Sequence, residues 1–439
     1  MATEQRMRRV RAASAARTVL LPAKIAVRPA LAAGSGLRQM LRYWHAERTT
    51  LRQGMIALTV SALGSIPAGL TLGAMDERLA LLPGLVILIP GAIGMRGAIF
   101  GALASRLGTG LASGLLTFNR DRNGLLMQNA RAAILQSLTS SLYLALAARA
   151  FSAITGLPSI PVWDLVLISV LGGMTASAII LVLTIQLARE GDKRNWDLDA
   201  VAAPIVTFLG DFITLPTLAL ATLLAQRGVI TDVLGITLTV LSLAAAIASF
   251  RTKAVTTRRI IRESALTLLL AGGIDIIAGV AIEHRIERFI SFPALLVMLP
   301  AFLENAGALG GIVSSRLSSK LHFGAIRPRP IPDRLAALDI TLAAPWALVN
   351  FAMTGVVAHL TAVALGKNSP GAWTMVVIAL VGGLMATIGA AIIAYLTAVA
   401  TFRLDLDPDN HGIAAVTSTM DLIGVMCVVA AVSLTGAGI

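Results

Sequence analysis

Two aspartates stand in the middle of long apolar stretches of the chain, 210 residues apart. Asp211 lies in IVTFLGDFITLP and Asp421 lies in AAVTSTMDLIGV. A carboxylate at the centre of a membrane helix costs roughly 2.5–3.5 kcal/mol and is tolerated where it faces a partner or a water-filled cavity. Two facing carboxylates repel, so either one holds a proton or a cation lies between them. The pair predicts a metal-ion site, with a hydrogen bond from a protonated aspartate to Thr207 or Thr417 as the structural alternative.

The ligand types indicate which ion this pair would bind. Only oxygen ligands are available, because neither His nor Cys lies at a matching depth, and this suits a hard ion such as Mg²⁺. Mg²⁺ keeps much of its water, so one or two carboxylates suffice, although Mn²⁺, Ca²⁺ and Na⁺ fit the same ligands. Motifs for ATP hydrolysis, nucleophilic catalysis or zinc peptidase activity are absent. We therefore expect no enzyme and no cofactor, with Mg²⁺ as the transported ion.

A Pro- and Gly-rich segment precedes each aspartate and adds charges of its own. The two copies are LLPGLVILIPGAIGMRGAIFGALASRLGTG and SFPALLVMLPAFLENAGALGGIVSSRLSSK. Such segments fit either a broken, pore-lining helix or a helix packed closely against a neighbour. Arg96 in the first copy is a candidate counter-ion for Asp211, and the second copy carries Glu304. Gly97 and Gly307 stand at equivalent positions and complete the pathway candidates of this segment.

The composition defines the elements that must position these side chains. Of 439 residues, 56% are apolar and 13% are charged, against roughly a quarter charged in soluble proteins. Runs of about 20 apolar residues are each long enough to cross a bilayer as a helix. A water-soluble protein is excluded, and we predict an all-α polytopic membrane protein. Its eleven expected spans lie near 54–76, 81–104, 126–157, 162–188, 201–226, 229–250, 264–284, 290–314, 332–364, 371–400 and 412–437.

The chain repeats itself at a fixed offset of 210 residues. Residues 51–110 and 261–320 are identical at sixteen of sixty positions, and the register continues downstream. Each repeat holds five spans, so the extra span near 229–250 makes the two copies parallel. We predict two parallel five-helix repeats joined by a linker helix, a fused pseudo-dimer compatible with a monomer. The predicted units are a basic arm at 1–52, transmembrane repeats at 53–227 and 261–439, and the linker at 228–260.

Two further intramembrane acids have no acid at the repeat offset. Asp275 aligns with Ser65, and Asp339 aligns with Asn129. Either acid fits a route for a coupling ion that is present in one half only, and a hydrogen bond to a polar neighbour fits equally well. We count Asp275 among the pathway candidates.

The net charge of +13 records orientation rather than nucleic-acid binding. Residues 1–52 hold eleven basic residues against two acids, and with this arm inside, seventeen further basic residues fall at inner loops and six at outer loops. We expect a multi-pass protein of the plasma (inner) membrane, in contact with lipid and not with nucleic acid, with the N-terminus cytoplasmic and the C-terminus outside. The arm itself fits a disordered tail, an amphipathic helix on anionic lipid or a mitochondrial transit peptide.

Two recurring motifs resemble those of a known family. The segments PGLVILIPGAIGMRGAIFGALASRLGTG and PALLVMLPAFLENAGALGGIVSSRLSSKLH are similar to the second-helix signature of MgtE-type magnesium transporters, particularly their tandem-repeat solute-carrier relatives. The stretches around Asp211 and Asp421 resemble the fifth-helix motif of that family. The resemblance covers about 52–437. It implies a pathway between the two bundles, with Mg²⁺ held through water by both aspartates.

The chain departs from the family pattern at one pair of positions. Members usually show Gly-Asn in the second-helix motif, whereas here Ala98 and Ala308 follow the two glycines. The large soluble sensing domains of MgtE itself are also absent from this sequence. We predict a divalent-cation transporter, for Mg²⁺, that works as a channel-like pathway or as an exchanger coupled to Na⁺ or H⁺. The alternatives are a transporter of another cation or small solute, or a non-transporting membrane sensor or subunit.

Overall fold

The structure, a computed structural model, describes residues 36–112, 124–194, 198–404 and 413–436, with Gly114, Leu116, Phe118 and Asp121 between the first two ranges. Helices are the regular elements of this part of the chain. In order they are α1 Gly36–Ala46, α2 Arg48–Gly64, α3 Ile66–Ala74, α4 Asp76–Leu81, α5 Leu85–Ala112, α6 Leu125–Thr155, α7 Val162–Lys193, α8 Leu198–Thr222, α9 Val229–Arg251, α10 Val255–Glu283, α11 Ile286–Ser291, α12 Pro293–His322, α13 Arg334–Ile340, α14 Ala343–Ala364, α15 Ala372–Arg403 and α16 Ile413–Leu434.

The predicted spans correspond to these helices. Ten helical segments of the described residues are long and apolar enough to cross a membrane, with α2 and α3 joined as one segment and α13 and α14 as another. Helix α8 is the eleventh, and its described apolar part is Phe208–Thr222. A spanning helix satisfies its backbone hydrogen bonds internally, which is what the hydrocarbon core requires. The prediction of an all-α polytopic membrane protein is confirmed.

The two halves match at the offset of 210 residues. Helices α4 and α11 begin and end at equivalent residues, and so do α7 and α15. The third span of each repeat is followed by a glycine in the left-handed conformation, Gly156 with φ 69° and Gly366 with φ 68°. Helix α9 has no counterpart among the described residues, and along the chain it lies between the two repeats. The predicted pair of five-span repeats with a linker helix is therefore confirmed.

The first span of each repeat packs mainly on the other repeat. Helix α10 contacts α5 and α6, whereas α2 and α3 contact α12 and α14. Gly69 in α3 lies on the backbone of Val297, and its equivalent Gly279 lies on the backbone of Ile87, the equivalent of Val297. A Cβ on either glycine would overlap a carbonyl oxygen, so both crossings require glycine. The two repeats are thus interlocked by exchanged helices.

The second spans, α5 and α12, are the most buried of the spanning segments. Each continues through an internal proline, Pro90 or Pro300, without a break. They are therefore continuous helices packed among neighbours, rather than broken ones.

The described part of the basic arm is a helix fixed to repeat 2. The buried Tyr43 of α1 donates a hydrogen bond from its hydroxyl to Oδ1 of Asp339 at 2.7 Å, and Nε1 of Trp44 donates to Oγ1 of Thr341 at 3.0 Å. Helix α1 is therefore neither a disordered tail nor a helix lying on lipid, because its side chains form hydrogen bonds to specific residues in α13 and beside it. Residues 1–35 lie outside the described residues.

Candidate functional site

The two aspartates stand on the fifth helices of the repeats, Asp211 on α8 and Asp421 on α16. Asp211 is 4% exposed and Asp421 is partly buried. The two carboxylates are close enough to interact electrostatically. Among the described residues, no three His, Cys, Asp or Glu side chains are arranged to bind one metal ion directly.

Each fifth helix packs on the second helix of its own repeat. A Cβ built on Gly210 would lie 3.7 Å from the backbone nitrogen of Gly97, and one built on Gly307 would lie 3.8 Å from Cγ2 of Thr417. The structure therefore places Gly97 and Gly307 next to the helices that carry the aspartates, and Thr417 is on one of these helices. The side chain of Thr207, a further candidate, lies outside the described residues.

Arg96 is buried in repeat 1 but turns away from Asp211. Its Nη1 donates to the carbonyl of Ala92 at 2.7 Å and its Nη2 donates to Oγ of Ser141 at 2.7 Å, while Nε has no hydrogen-bond partner in the described part of the chain. Ser169, in the π-helical turn Leu167–Gly172 of α7, donates to the carbonyl of Ser141 at 2.7 Å. Among the described residues Arg96 forms no ion pair, so the predicted contact with the Asp211 carboxylate is not formed.

Glu304 and Asp275 each lie where helices of different repeats meet. Glu304 Oε1 accepts a hydrogen bond from the hydroxyl of Ser61 in α2 at 2.7 Å. Asp275 is 1% exposed, and its Oδ1 has no hydrogen-bond partner among the residues that the structure describes. Its Oδ2 lies 2.6 Å from the position of a Cβ built on Gly94 of α5, so the carboxylate fills space that only glycine leaves open.

The four carboxylates form one electrostatic group. Asp211 interacts with Glu304 and Asp421, and Asp421 interacts with Asp275 and Glu304. The sequence predicts Asp211 and Asp421 as the principal acids, with Asp275 and Glu304 among the further pathway candidates. It does not show that α10 crosses into repeat 1, and this crossing is what brings Asp275 to the group.

Asp339 belongs to a separate network at one end of α12. Its Oδ1 lies 2.6 Å from Nη2 of Arg316 and 2.6 Å from Nζ of Lys320, in addition to the Tyr43 hydroxyl. Burial and the nearby carboxylate raise the pKa of Tyr43, so its hydroxyl stays protonated and donates. At the equivalent place in repeat 1, Nε of Arg106 donates to Oδ1 of Asn129 at 2.9 Å. Asp339 and Asn129, which are aligned in sequence, are thus also equivalent in the structure. Neither belongs to the group formed by Asp211, Asp421, Asp275 and Glu304.

A comparison with protein families decides the relationship. The model of the MgtE family, described as a divalent cation transporter, matches residues 89–221 and again 299–431, which together make up more than half of the chain. This chain belongs to the MgtE family. The two matches are offset by the same 210 residues as the internal repeat, so each repeat of this MgtE-family protein carries one copy of the family's unit.

Curated relatives extend over nearly the same length. Solute carrier family 41 member 3 of Rattus norvegicus is 24% identical over 399 residues, which cover 86% of this chain and 85% of the relative. The protein of the same name from Mus musculus is 24% identical over 361 residues, covering 77% of this chain and 73% of the relative. No solved structure matches the chain. The resemblance to the family's tandem-repeat members is therefore confirmed.

Proposed function

We propose that this divalent cation transporter carries Mg²⁺, in hydrated form, between its two repeats and past Asp211 and Asp421. The observation that supports this most is the electrostatic contact of two equivalent carboxylates deep in apolar helices. Neither forms an ion pair with a Lys, Arg or His among the described residues. A cation from solution would balance the charge of the ionised pair, and carboxylates suit a hard cation.

The two alanines that replace the family's usual asparagines fit the same mechanism. Ala98 is exposed on α5 and Ala308 is partly buried on α12. Small apolar side chains leave room for the water of an ion and offer it no amide ligand. Selection would then rest on charge and on the space for hydration, which also keeps another divalent cation as the second candidate substrate.

The proposed setting is the plasma membrane with the N-terminus in the cytoplasm. The excess of basic residues in the arm and in alternate loops supports this orientation, since positively charged loops stay on the cytoplasmic side. The end of α12 that carries Arg316 and Lys320 is then the cytoplasmic end.

Ion uptake into proteoliposomes tests the proposal. Wild type should accumulate Mg²⁺, and Asp211→Asn and Asp421→Asn should each lower the rate on the order of 10-fold or more. Asp232→Asn, at an exposed acid of α9, is the matched control and should leave uptake unchanged. Normal Mg²⁺ uptake by both pathway variants would show the proposed ion site to be wrong.

The same vesicles separate the remaining alternatives. Preferential uptake of Mn²⁺ or Ca²⁺ would change the substrate, and a requirement for an opposing Na⁺ or H⁺ gradient would indicate an exchanger rather than a channel-like pathway. Absence of any flux under all gradients would indicate a sensor or subunit.

A further inference from the structure

Asp275 and Glu304 share an unusual relation to the repeat. Asp275 aligns with Ser65, and Glu304 aligns with Gly94. Each aligned pair therefore contains one acid, but the acid is on the first span in one pair and on the second span in the other. By sequence alone, neither carboxylate has an equivalent.

The exchange of first spans brings these positions together. Asp275 of α10 lies against Gly94 of α5, and Glu304 of α12 accepts a hydrogen bond from Ser61 of α2, one helical turn before Ser65. The crossing of α10 with α5 is the equivalent of the crossing of α2 and α3 with α12. Each crossing thus holds one carboxylate. It comes from the first span at one crossing and from the second span at the other.

One pair of electrostatic contacts follows the same two-fold relation. Asp211 interacts with Glu304, and Asp421 interacts with Asp275 at the equivalent crossing. The pseudo-symmetry that exchanges Asp211 with Asp421 therefore also exchanges the two crossings.

In the described part of the chain, Asp275 forms neither an ion pair nor a hydrogen bond at Oδ1 that would account for its burial. It is 1% exposed and its Oδ1 accepts no hydrogen bond from the described residues. Arg96, the fully buried arginine of α5, is committed to Ala92 and Ser141. The phenol of Tyr143, the titratable neighbour on α6, donates its hydrogen bond to the carbonyl of Leu269 instead. A buried carboxylate without a hydrogen bond or counter-ion is costly, and a cation supplied from solution removes that cost.

We propose that Asp275 and Glu304 are a second pair of cation-binding carboxylates, which together with Asp211 and Asp421 hold one hydrated divalent cation. Asp211 with Glu304, and Asp421 with Asp275, would contact its water as two pairs related by the pseudo-symmetry. The inference rests on the proposed function and extends it to two residues that set affinity. Because the ion is held through water, these residues act as outer-sphere ligands, whose loss typically costs about 10- to 100-fold in metal affinity.

Neutral substitutions give the first test. In proteoliposomes, Asp275→Asn and Glu304→Gln should each raise the KM for Mg²⁺ by about 10- to 100-fold. Both variants keep the shape of the side chain, so folding is preserved, and monodisperse elution in detergent checks this. Stabilisation of the detergent-solubilised protein by Mg²⁺ should shift to higher Mg²⁺ by the same factor, which is a readout independent of transport.

Moving each carboxylate to the other side of its crossing gives the second test. Glu304→Gly combined with Ser65→Asp copies the α10–α5 arrangement into the other crossing, and Asp275→Ser combined with Gly94→Glu does the reverse. Each double variant should recover a KM within a few-fold of wild type. The matched controls are Glu304→Gly and Asp275→Ser alone, which should stay impaired. Gly94→Glu alone should fold poorly, because its side chain would meet Oδ2 of Asp275.

The outcomes separate this inference from the proposed function. If wild type moves no divalent cation, the proposed function fails first. If wild type moves Mg²⁺ while Asp275→Asn and Glu304→Gln keep its KM and its stabilisation by Mg²⁺, the second pair is overturned and the function stands. Double variants that are folded but no better than their single controls would overturn the equivalence of the two crossings.

Discussion

The cores of the two repeats fill the same place with different chemistry. In repeat 1, the guanidinium of Arg96 lies between the backbone of Ala92 and the hydroxyl of Ser141. In repeat 2 the equivalents of these residues are Ala306, Phe302 and Phe351. The two phenylalanine rings pack with centroids 4.8 Å apart and an angle of 43° between their planes.

A glycine on the fourth span marks the equivalence of these two sites. A Cβ on Gly173 would overlap Nη2 of Arg96, and a Cβ on Gly383 would overlap the ring of Phe351. The backbone therefore leaves one volume that must be filled, and either a buried cation with hydrogen bonds or a pair of rings can fill it. The repeats agree where helices cross at backbone distance and differ where side chains fill space.

The largest effects should come from positions where the repeats agree. Gly69→Val and Gly279→Val each place side-chain atoms on the backbone of the opposite repeat, at Val297 and Ile87. We expect each to cost about 3 kcal/mol or more, since overpacking here cannot be relieved by a rotamer change. Thermal unfolding in detergent, with the yield of folded protein, measures the loss.

Gly307→Ala is the matched control for these two variants. Its Cβ would lie at ordinary contact distance, 3.8 Å, from Thr417, so folding should be preserved. If valine were tolerated at one crossing but not at the other, the two exchanged helices would not be structurally equivalent.

The next largest effect should come from the charged core of repeat 1. Arg96→Ala removes the group that fills the space between α5, α6 and α7, and we expect a loss of about 3 kcal/mol in stability, as for large-to-small core changes. The triple variant Ala92→Phe, Arg96→Ala, Ser141→Phe copies the packing of repeat 2 and should recover much of this loss. Thermal unfolding in detergent compares the stability of the single and the triple variant. If Arg96→Ala were as stable as wild type, the two repeats would not share a volume that a side chain must fill.

A smaller effect is expected at the Asp339 network, where repeat 1 has Asn129 in place of Asp339 and Gly110 in place of Lys320. Asp339→Asn copies the Asn129 of repeat 1 and removes the charge that Arg316 and Lys320 share, so α1 should detach at a cost of about 2 kcal/mol. Trypsin should then cut more rapidly after the exposed Arg38 and Arg42. Glu190→Gln, at an exposed pair on α7, is the control and should leave cleavage unchanged.

The same network predicts a pH dependence. The pKa of Tyr43 is raised in the folded protein, so the contribution of its hydroxyl is complete below the ordinary tyrosine pKa of about 10 and declines as the pH rises above it. Tryptic cleavage of α1 should accelerate over that range in wild type and not in Tyr43→Phe.

The smallest effect should come from an ion pair between the two repeats whose equivalent positions carry no charges. Nζ of Lys367 lies 2.8 Å and 2.9 Å from the carboxylate oxygens of Asp76, whereas the equivalent positions are Leu157 and Ile286. Because Lys367 is partly exposed, Lys367→Ala should cost less than about 1 kcal/mol. A shift in the thermal midpoint as large as that of Arg96→Ala would overturn this ranking.

Much of the fold could be predicted from periodicity and from the repeat. The eleven spans, the linker helix and the equivalence of Asp211 with Asp421 follow from apolar length and from the offset of 210 residues. The exchange of first spans could not be predicted, because Gly69 and Gly279 show only that some close approach occurs and not with which repeat. Without the exchange, Asp275 and Glu304 are two unrelated acids.

The direction of the Arg96 side chain could not be predicted from the sequence either. The sequence places it one residue before Gly97 and suggests Asp211 as its partner, but a long side chain can extend along its own helix to the carbonyl four residues earlier. A serine on α6 then completes its contacts. The choice among nearby partners depends on packing that a single sequence does not record.

The exchanged helices also constrain how the protein can be made. During synthesis, α5 enters the membrane well before α10, and all of α6 to α9 is produced in between. The face of α5 around Ile87 and Gly94 stays exposed to lipid until α10 is inserted, because membrane helices insert first and associate afterwards. Repeat 1 therefore cannot be completed by its own helices. Translation of the second repeat is the step that closes the first.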